Sequence, residues 1–209
     1  MIRQRNPGQF GIPSEARIDI EEFYDQLIVP YRPAPVLVNG EMRIMKFSMV
    51  PSWSKEPKVK FATHNARLES IDEKPTWKSV FTQRHCLVPM TDFIEPIYEG
   101  DFAGNMVAFS AKDDEIIYAA GVWDEWVNRE TGEVTQSFAI ITQDPPPFVA
   151  STGHDRCPVF LEKAAGDEWL RNIKSPPNTL KAFLQEKTHT PDFKAVKHRP
   201  MRPGWEKRK

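Results

Sequence analysis

Cysteine is nearly absent from this chain, with only Cys86 and Cys157 among 209 residues. They form no close-spaced pair and no Cys/His ligand pattern. This argues against a structural zinc site and a disulfide framework, and makes a reducing, intracellular setting the expectation. Glycine is scarce as well, 10 residues against 19 prolines, a balance that breaks long helices and favours short strands with shaped loops. No apolar run approaches the ~20 residues of a membrane-spanning helix, and residues 1–10 carry no signal-peptide core. The expected location is therefore the cytoplasm, without a membrane partner. Charge of one sign is not in excess: the formal net charge is −1, so any site for a polyanion must come from local clustering. The chain also lacks a Gly-x-Ser-x-Gly elbow, a Gly-rich phosphate loop and a His-Glu-x-x-His pair, and no cofactor or metal is expected.

What is present fits one α+β domain over residues 1–209, ending in a basic tail at 198–209. The segment 19–28 (DIEEFYDQLI) has the acids early and Phe23, Leu27 and Ile28 on one side, which predicts a short amphipathic helix. Residues 36–38 and 42–50 flank Asn39-Gly40, a hairpin signal. Residues 76–82 predict a brief helix capped by Thr76. From Cys86 onward the runs CLVP, DFIEPIY, MVAFS, IIYAAGVW and SFAIIT read as strands, with 129–133 as a hairpin tip. Pro145, Pro146 and Pro147 then predict an extended connection. Helices are expected at 166–173 and 179–186, and a last strand at 193–196. Strands in runs with helices clustered elsewhere predict mainly antiparallel strands in a curved mixed sheet or open barrel, with a few short peripheral helices.

Three segments set ionisable groups among apolar ones. In 61-FATHNARLESI-71 an amide, a guanidinium and a carboxylate lie close together without Gly or Pro. In 92-DFIEPIY-98, Glu95 shares a strand face with Phe93 and Ile97, so it either faces solvent with two apolar companions or points inward. Pointing inward, it needs a matching cation or donor, and is then prepared for acid–base work. In 151-STGHDRCPVFL-161, His154, Asp155 and Arg156 precede an apolar strand start. Asp155 and Arg156 can equally be a surface ion pair. The tail 194-KAVKHRPMRPGWEKRK-209 is basic and carries Trp205. It suits single-stranded nucleic acid, or is simply a solvated terminus.

Taken in this order, 31-YRPAP-35, 47-FSMVPSW-53, 65-NARLE-69, 84-RHCLVP-89, 92-DFIEP-96, 119-AAGVWDEW-126, 138-FAIITQ-143 and 154-HDRCPVFL-161 resemble the SOS response-associated peptidase (SRAP) family, over about residues 31–161. The resemblance implies recognition of abasic sites in single-stranded DNA and a covalent protein–DNA crosslink. In that chemistry a cysteine exposed by removal of the initiator Met supplies an α-amine and a thiol. By motif match, Asn65 orients the nucleophile, Glu95 shuttles protons and His154 assists sugar ring opening. Arg67, Thr142 and Trp53 contact DNA, Glu69 is a structural partner and His64 a bystander. The departure is at the start, Met1-Ile2-Arg3, where position 2 is Ile. Cys86 and Cys157 have no free α-amine and are expected to be structural. A Schiff-base lyase, a non-catalytic DNA-binding or interaction module, and a thiol peptidase stand as alternatives.

Overall fold

The computed structural model describes residues 1–3, 26–113 and 115–208. Its strands are β1 (Ile2–Arg3), β2 (Leu27–Ile28), β3 (Pro33–Val38), β4 (Glu41–Phe47), β5 (Asn65–Arg67), β6 (His85–Met90), β7 (Asp92–Ile97), β8 (Asn105–Ala111), β9 (Ile117–Val127), β10 (Val134–Gln143), β11 (Cys157–Pro158), β12 (Phe160–Leu161) and β13 (Phe193–Pro200). The helices are short: α1 (Lys78–Gln83), α2 (Pro147–Ser151), α3 (Lys163–Arg171) and α4 (Pro177–Lys187). The fold is α+β, as the run of strands predicts. The helix expected at 19–28 falls outside the described residues except for Leu27 and Ile28, which form β2.

Turn chemistry joins the strands where the sequence marks it. Asn39 (φ 53°) and Gly40 (φ 82°) both take the left-handed backbone that a tight hairpin demands, and β3 and β4 pair in register from Val38–Glu41 to Pro33–Lys46. Between β9 and β10, the side-chain oxygen of Asn128 accepts from the amides of Glu130 and Thr131. Two local expectations differ from the structure. Helix α1 starts at Lys78 with Trp77, not Thr76, at its cap and no capping side chain. The preceding turn already supplies acceptors, since the amides of Trp77 and Lys78 both bond the Lys74 carbonyl. The three prolines do not stay extended throughout: Pro146 is extended, but Pro147 opens α2, where a residue without an N–H costs nothing.

The strands form two sheets. One runs β13-β8-β7-β1-β2. In the other, pairing follows a closed circuit, β9 to β10, β10 to β4, β4 to β3, β3 to β6 and β6 back to β9, with β5, β11 and β12 attached. Side-chain parity explains why β3, β6 and the apolar stretches 119–123 of β9 and 138–141 of β10 show no alternation. Ala34, Val36 and Val38, with Cys86, Val88 and Met90, and Phe138 and Ile140, join a core shared with Phe93, Val107, Phe109 and Phe193 of the first sheet. The alternate residues Leu37, Leu87, Ala120, Val122, Ala139 and Ile141 join a second core with Val80 and Phe81 of α1, Trp169 and Leu170 of α3, and Leu180, Phe183 and Leu184 of α4. A sheet covered on both faces needs apolar residues at both parities, so the period-2 signal disappears.

β10 organises the functional region. Its first half runs beside β9 and β4. At its C-terminal end it pairs in parallel with β5 (Ile140–Asn65, Thr142–Arg67) and antiparallel with β11 (Thr142–Pro158, Gln143–Cys157). In the other sheet β1 lies between β2 and β7, with Ile2 opposite both Ile28 and Phe93. No helix among the described residues is long and apolar enough to cross a membrane.

Candidate active site

The two sheets meet around a cavity of about 460 Å³. Each wall comes from a different element. β1 brings Met1, β7 brings Glu95, and the chain entering β5 brings His64 and Asn65. β10 brings Thr142, the segment ahead of β11 brings His154 and Arg156, and β11 brings Cys157. Asn65, Glu95, His154 and Thr142, predicted from separate motifs, thus share one cavity. Arg67 and Trp53 are not part of its wall. Arg67 is exposed at the end of β5 and Trp53 is 53% exposed on the 48–58 loop.

Glu95 points inward rather than to solvent, and its matching cation is the N-terminal ammonium. The Met1 nitrogen donates to the Ile94 carbonyl at 2.9 Å and lies 3.8 Å from Glu95 Oε1. The Ile94 amide returns a bond to the Met1 carbonyl at 2.7 Å, so strand pairing fixes the amine in place. His154 is delivered by the turn that ends α2. Gly153 there has φ 90°, and a Cβ at this position would lie 2.5 Å from the Glu99 carbonyl oxygen, so only glycine fits. Burial pulls both His154 and His64 below the ordinary imidazole value, and the Glu95 charge partly offsets this in each case. Both rings are consequently neutral at pH 7 and able to accept a proton.

His64 was expected to be a bystander, and it lines the cavity instead. Its carbonyl accepts from the Ile140 amide at 2.9 Å, the first rung of the β5–β10 pairing, which turns the residue toward the site. Strand periodicity could not reveal this, because β5 is only three residues long. Arg156 is not an isolated partner of Asp155. Its guanidinium bonds both carboxylate oxygens of Glu69, Asp144 at 3.1 Å and the Thr142 carbonyl at 2.8 Å. Glu69 has the structural role expected of it. The arrangement ties β5, β10 and the His154 segment together.

Cys157 borders the cavity but is buried, and desolvation pushes its thiol up to about 12. Burial pushes Cys86 up as well. Neither supplies a thiolate at neutral pH. Acid in the motif around Asp124 also has a structural explanation. Asp124 accepts from the Ser52 amide at 2.7 Å, while Trp126 donates to the Ser54 carbonyl. Together they pin the loop that presents Trp53. Nearby, the Tyr31 ring carries Lys58 at 4.7 Å and Lys46 at 5.8 Å, and the adjacent Pro30 borders the cavity.

A second cavity of similar size is lined by Asp113, Glu115, Glu162 and Asp192, with Lys163 and His189. Its acidic wall repels polyanions. Among the described residues the first cavity has Glu95 as its one carboxylate, with the ammonium, Arg156 and Arg199 as its cations.

The model of the family described as SOS response associated peptidase (SRAP) matches residues 9–200. The chain belongs to the SRAP family. Among its relatives, the abasic site processing protein YoqW of Bacillus subtilis is 26% identical over 194 residues, covering 85% of this chain and 86% of YoqW. The abasic site processing protein HMCES of Xenopus tropicalis is 29% identical over 147 residues, 61% of this chain and 43% of HMCES. Two solved structures share the SRAP fold seen here. A protein from Bacteroides thetaiotaomicron has a TM-score of 0.66 at 24% identity, over 85% of this chain and 77% of that one. A phage-related protein from Bordetella bronchiseptica has a TM-score of 0.62 at 19% identity, over 96% and 93%.

Proposed function

We propose that this SRAP protein recognises abasic sites in single-stranded DNA and reacts with them through the amine held in the cavity. The observation that carries the reading is the Met1 nitrogen 3.8 Å from Glu95, in a cavity that also holds His154, His64 and Asn65. A neutral amine adds to the C1′ aldehyde of the ring-opened sugar, and the carbinolamine loses water to give an imine. Glu95 takes a proton from the Met1 ammonium to free the amine for attack, and returns one to the departing hydroxyl. Neutral His154 moves protons at the sugar as it opens, and Asn65 orients the adduct through its amide. Loss of a C2′ proton from the imine breaks the C3′–O bond, which is the lyase outcome. Met1 carries no thiol, so no thiazolidine closes on it. Arg67, Trp53 and the Tyr31–Lys46–Lys58 group serve the flanking strand, by phosphate contact and by base stacking. The buried thiols weigh against a thiol peptidase, and the cytoplasm is the compartment in which such a protein meets its DNA.

The test is incubation of the full chain with a single-stranded oligonucleotide carrying an abasic site, with and without borohydride, after intact-mass measurement of the N-terminus. An adduct that requires reductant, mapped to the N-terminal peptide, and strand cleavage without it are expected. Glu95→Gln and His154→Gln each lower the rate by roughly 10²–10⁴. Absence of an adduct together with no preference for the abasic strand refutes the reading. Preferential binding with no chemistry, unaffected by both substitutions, favours the non-catalytic module.

A further inference from the structure

Building on that reading, we infer that Arg199 forms a phosphodiester-binding subsite at the rim of the cavity, aimed there by a β-bulge. β13 pairs regularly with β8 from Phe193–Ala111 to Lys197–Val107, and then shifts so that Arg199 lies opposite Met106. The bulged residue is His198. In a regular ladder Arg199 would lie opposite Asn105, and its side chain would leave by the other face, because a slip of one residue reverses the side-chain direction. With the bulge, Arg199 and Met106 both line the cavity.

Two further features suit this role. Among the described residues the Arg199 side chain makes no ion pair or hydrogen bond, whereas Arg156, the other guanidinium in the wall, is taken by Glu69, Asp144 and Thr142. An exposed guanidinium with no side-chain partner among the described residues, beside a sugar-sized cavity, is matched to an anionic oxygen pair of the kind a phosphodiester offers. The strand end is also held. The Met201 amide bonds the Gly104 carbonyl at 2.8 Å, and the Trp205 ring sits over Gly104 and 6.3 Å from the Tyr98 ring. The basic tail thereby fixes the position of Arg199 instead of leaving it on a loose terminus.

Arg199 and the Tyr31–Lys46–Lys58 group belong to different sheets, so a strand whose abasic sugar enters the cavity meets a cation from each sheet. The subsite contacts backbone and not bases, so it serves intact and abasic strands alike.

Fluorescence anisotropy tests this with two oligonucleotides of equal length, one intact and one carrying a tetrahydrofuran abasic analogue, over a series of salt concentrations. For Arg199→Ala we expect five- to tenfold weaker binding to both, with the salt slope smaller by about 0.7. Arg199→Lys should recover part of the affinity. Arg129→Ala, which removes the same charge at the hairpin tip, should change neither quantity, and thermal unfolding should show all variants folded. Unchanged affinity and slope in Arg199→Ala, or an equal loss in Arg129→Ala, overturns the subsite. A wild type that binds both strands equally refutes abasic recognition, while the Arg199 comparison on the intact strand still decides the subsite. A wild type that binds neither strand overturns both.

Discussion

Replacing Arg156 with Ala should destabilise the protein and disorganise the cavity from one side. Its guanidinium donates 2.8 Å to the Thr142 carbonyl in a part-buried position, and a charged hydrogen bond of this kind contributes about 1.5–3 kcal/mol. The Glu69 pair adds less, because the Glu69 side chain is 51% exposed, and solvent screening limits it to about 1 kcal/mol. Asp144 is 89% exposed and is left out of the sum. Together these give a loss of about 3 kcal/mol, or roughly 6–12 °C in Tm for a chain of this size. The pH dependence has a definite sign. The hydrogen bond from Arg156 holds the Glu69 carboxyl below its ordinary value of 4.5, against a smaller opposing effect of burial. That contribution is therefore present above pH 4.5 and is lost as the pH falls through the folded-state value. Urea unfolding of wild type and Arg156→Ala at pH 7 and pH 3.5 should show the gap narrowing at the lower pH, and Glu69→Gln should abolish the narrowing. A gap below about 0.5 kcal/mol at pH 7, the level of an ordinary surface substitution, would show that the network does not hold β5 to β10.

Other consequences can be checked separately. His64 and His154 are both held below 6.5, so they withdraw stability as the pH falls from 6.5 through their folded-state values. The double variant His64→Gln/His154→Gln should flatten stability between pH 7.5 and 5 relative to wild type. Cys86 and Cys157 should resist a maleimide at pH 8 in the native protein and both react in guanidinium, as read by intact mass; modification of the folded protein would contradict their burial. Gly121→Ala places a Cβ 2.8 Å from both the Ala139 carbonyl oxygen and the Cys86 sulfur. Overpacking of this kind should cost about 1–3 kcal/mol in chemical unfolding, and a neutral result would mean that β9 and β10 can separate freely.

Much of the fold was legible because its signals are local. Asn39-Gly40 announces its hairpin, and the runs around Val88, Phe93 and Phe138 announce strands. The layer arrangement was not, since residues buried on both faces of β6 and β10 carry no alternation to say which side faces helices. Among candidate site residues, Asn65, Glu95, Thr142 and His154 were singled out through motif order, and one cavity brings them together. His64 was missed because a three-residue strand gives no period to read, and Arg156 because its partners Glu69 and Asp144 are distant or unremarkable in sequence. Arg199 depends on a single inserted residue, His198, which no pattern of residue types reveals.

The closed circuit of strands has a kinetic meaning. β9 and β10 can meet early, across the short turn at 128–133, but the circuit closes only when β10 reaches β4 and β5 across a long intervening chain. Long loops are slow to close, and contacts of this separation delay folding. Asn65, Thr142 and Arg156 all lie at that long-range seam, so a chain in which it is open has no complete cavity wall. A ligand that binds the cavity of the native state alone, at free concentration L, thus clasps a long-range joint of the fold and adds RT ln(1 + L/Kd) to its stability.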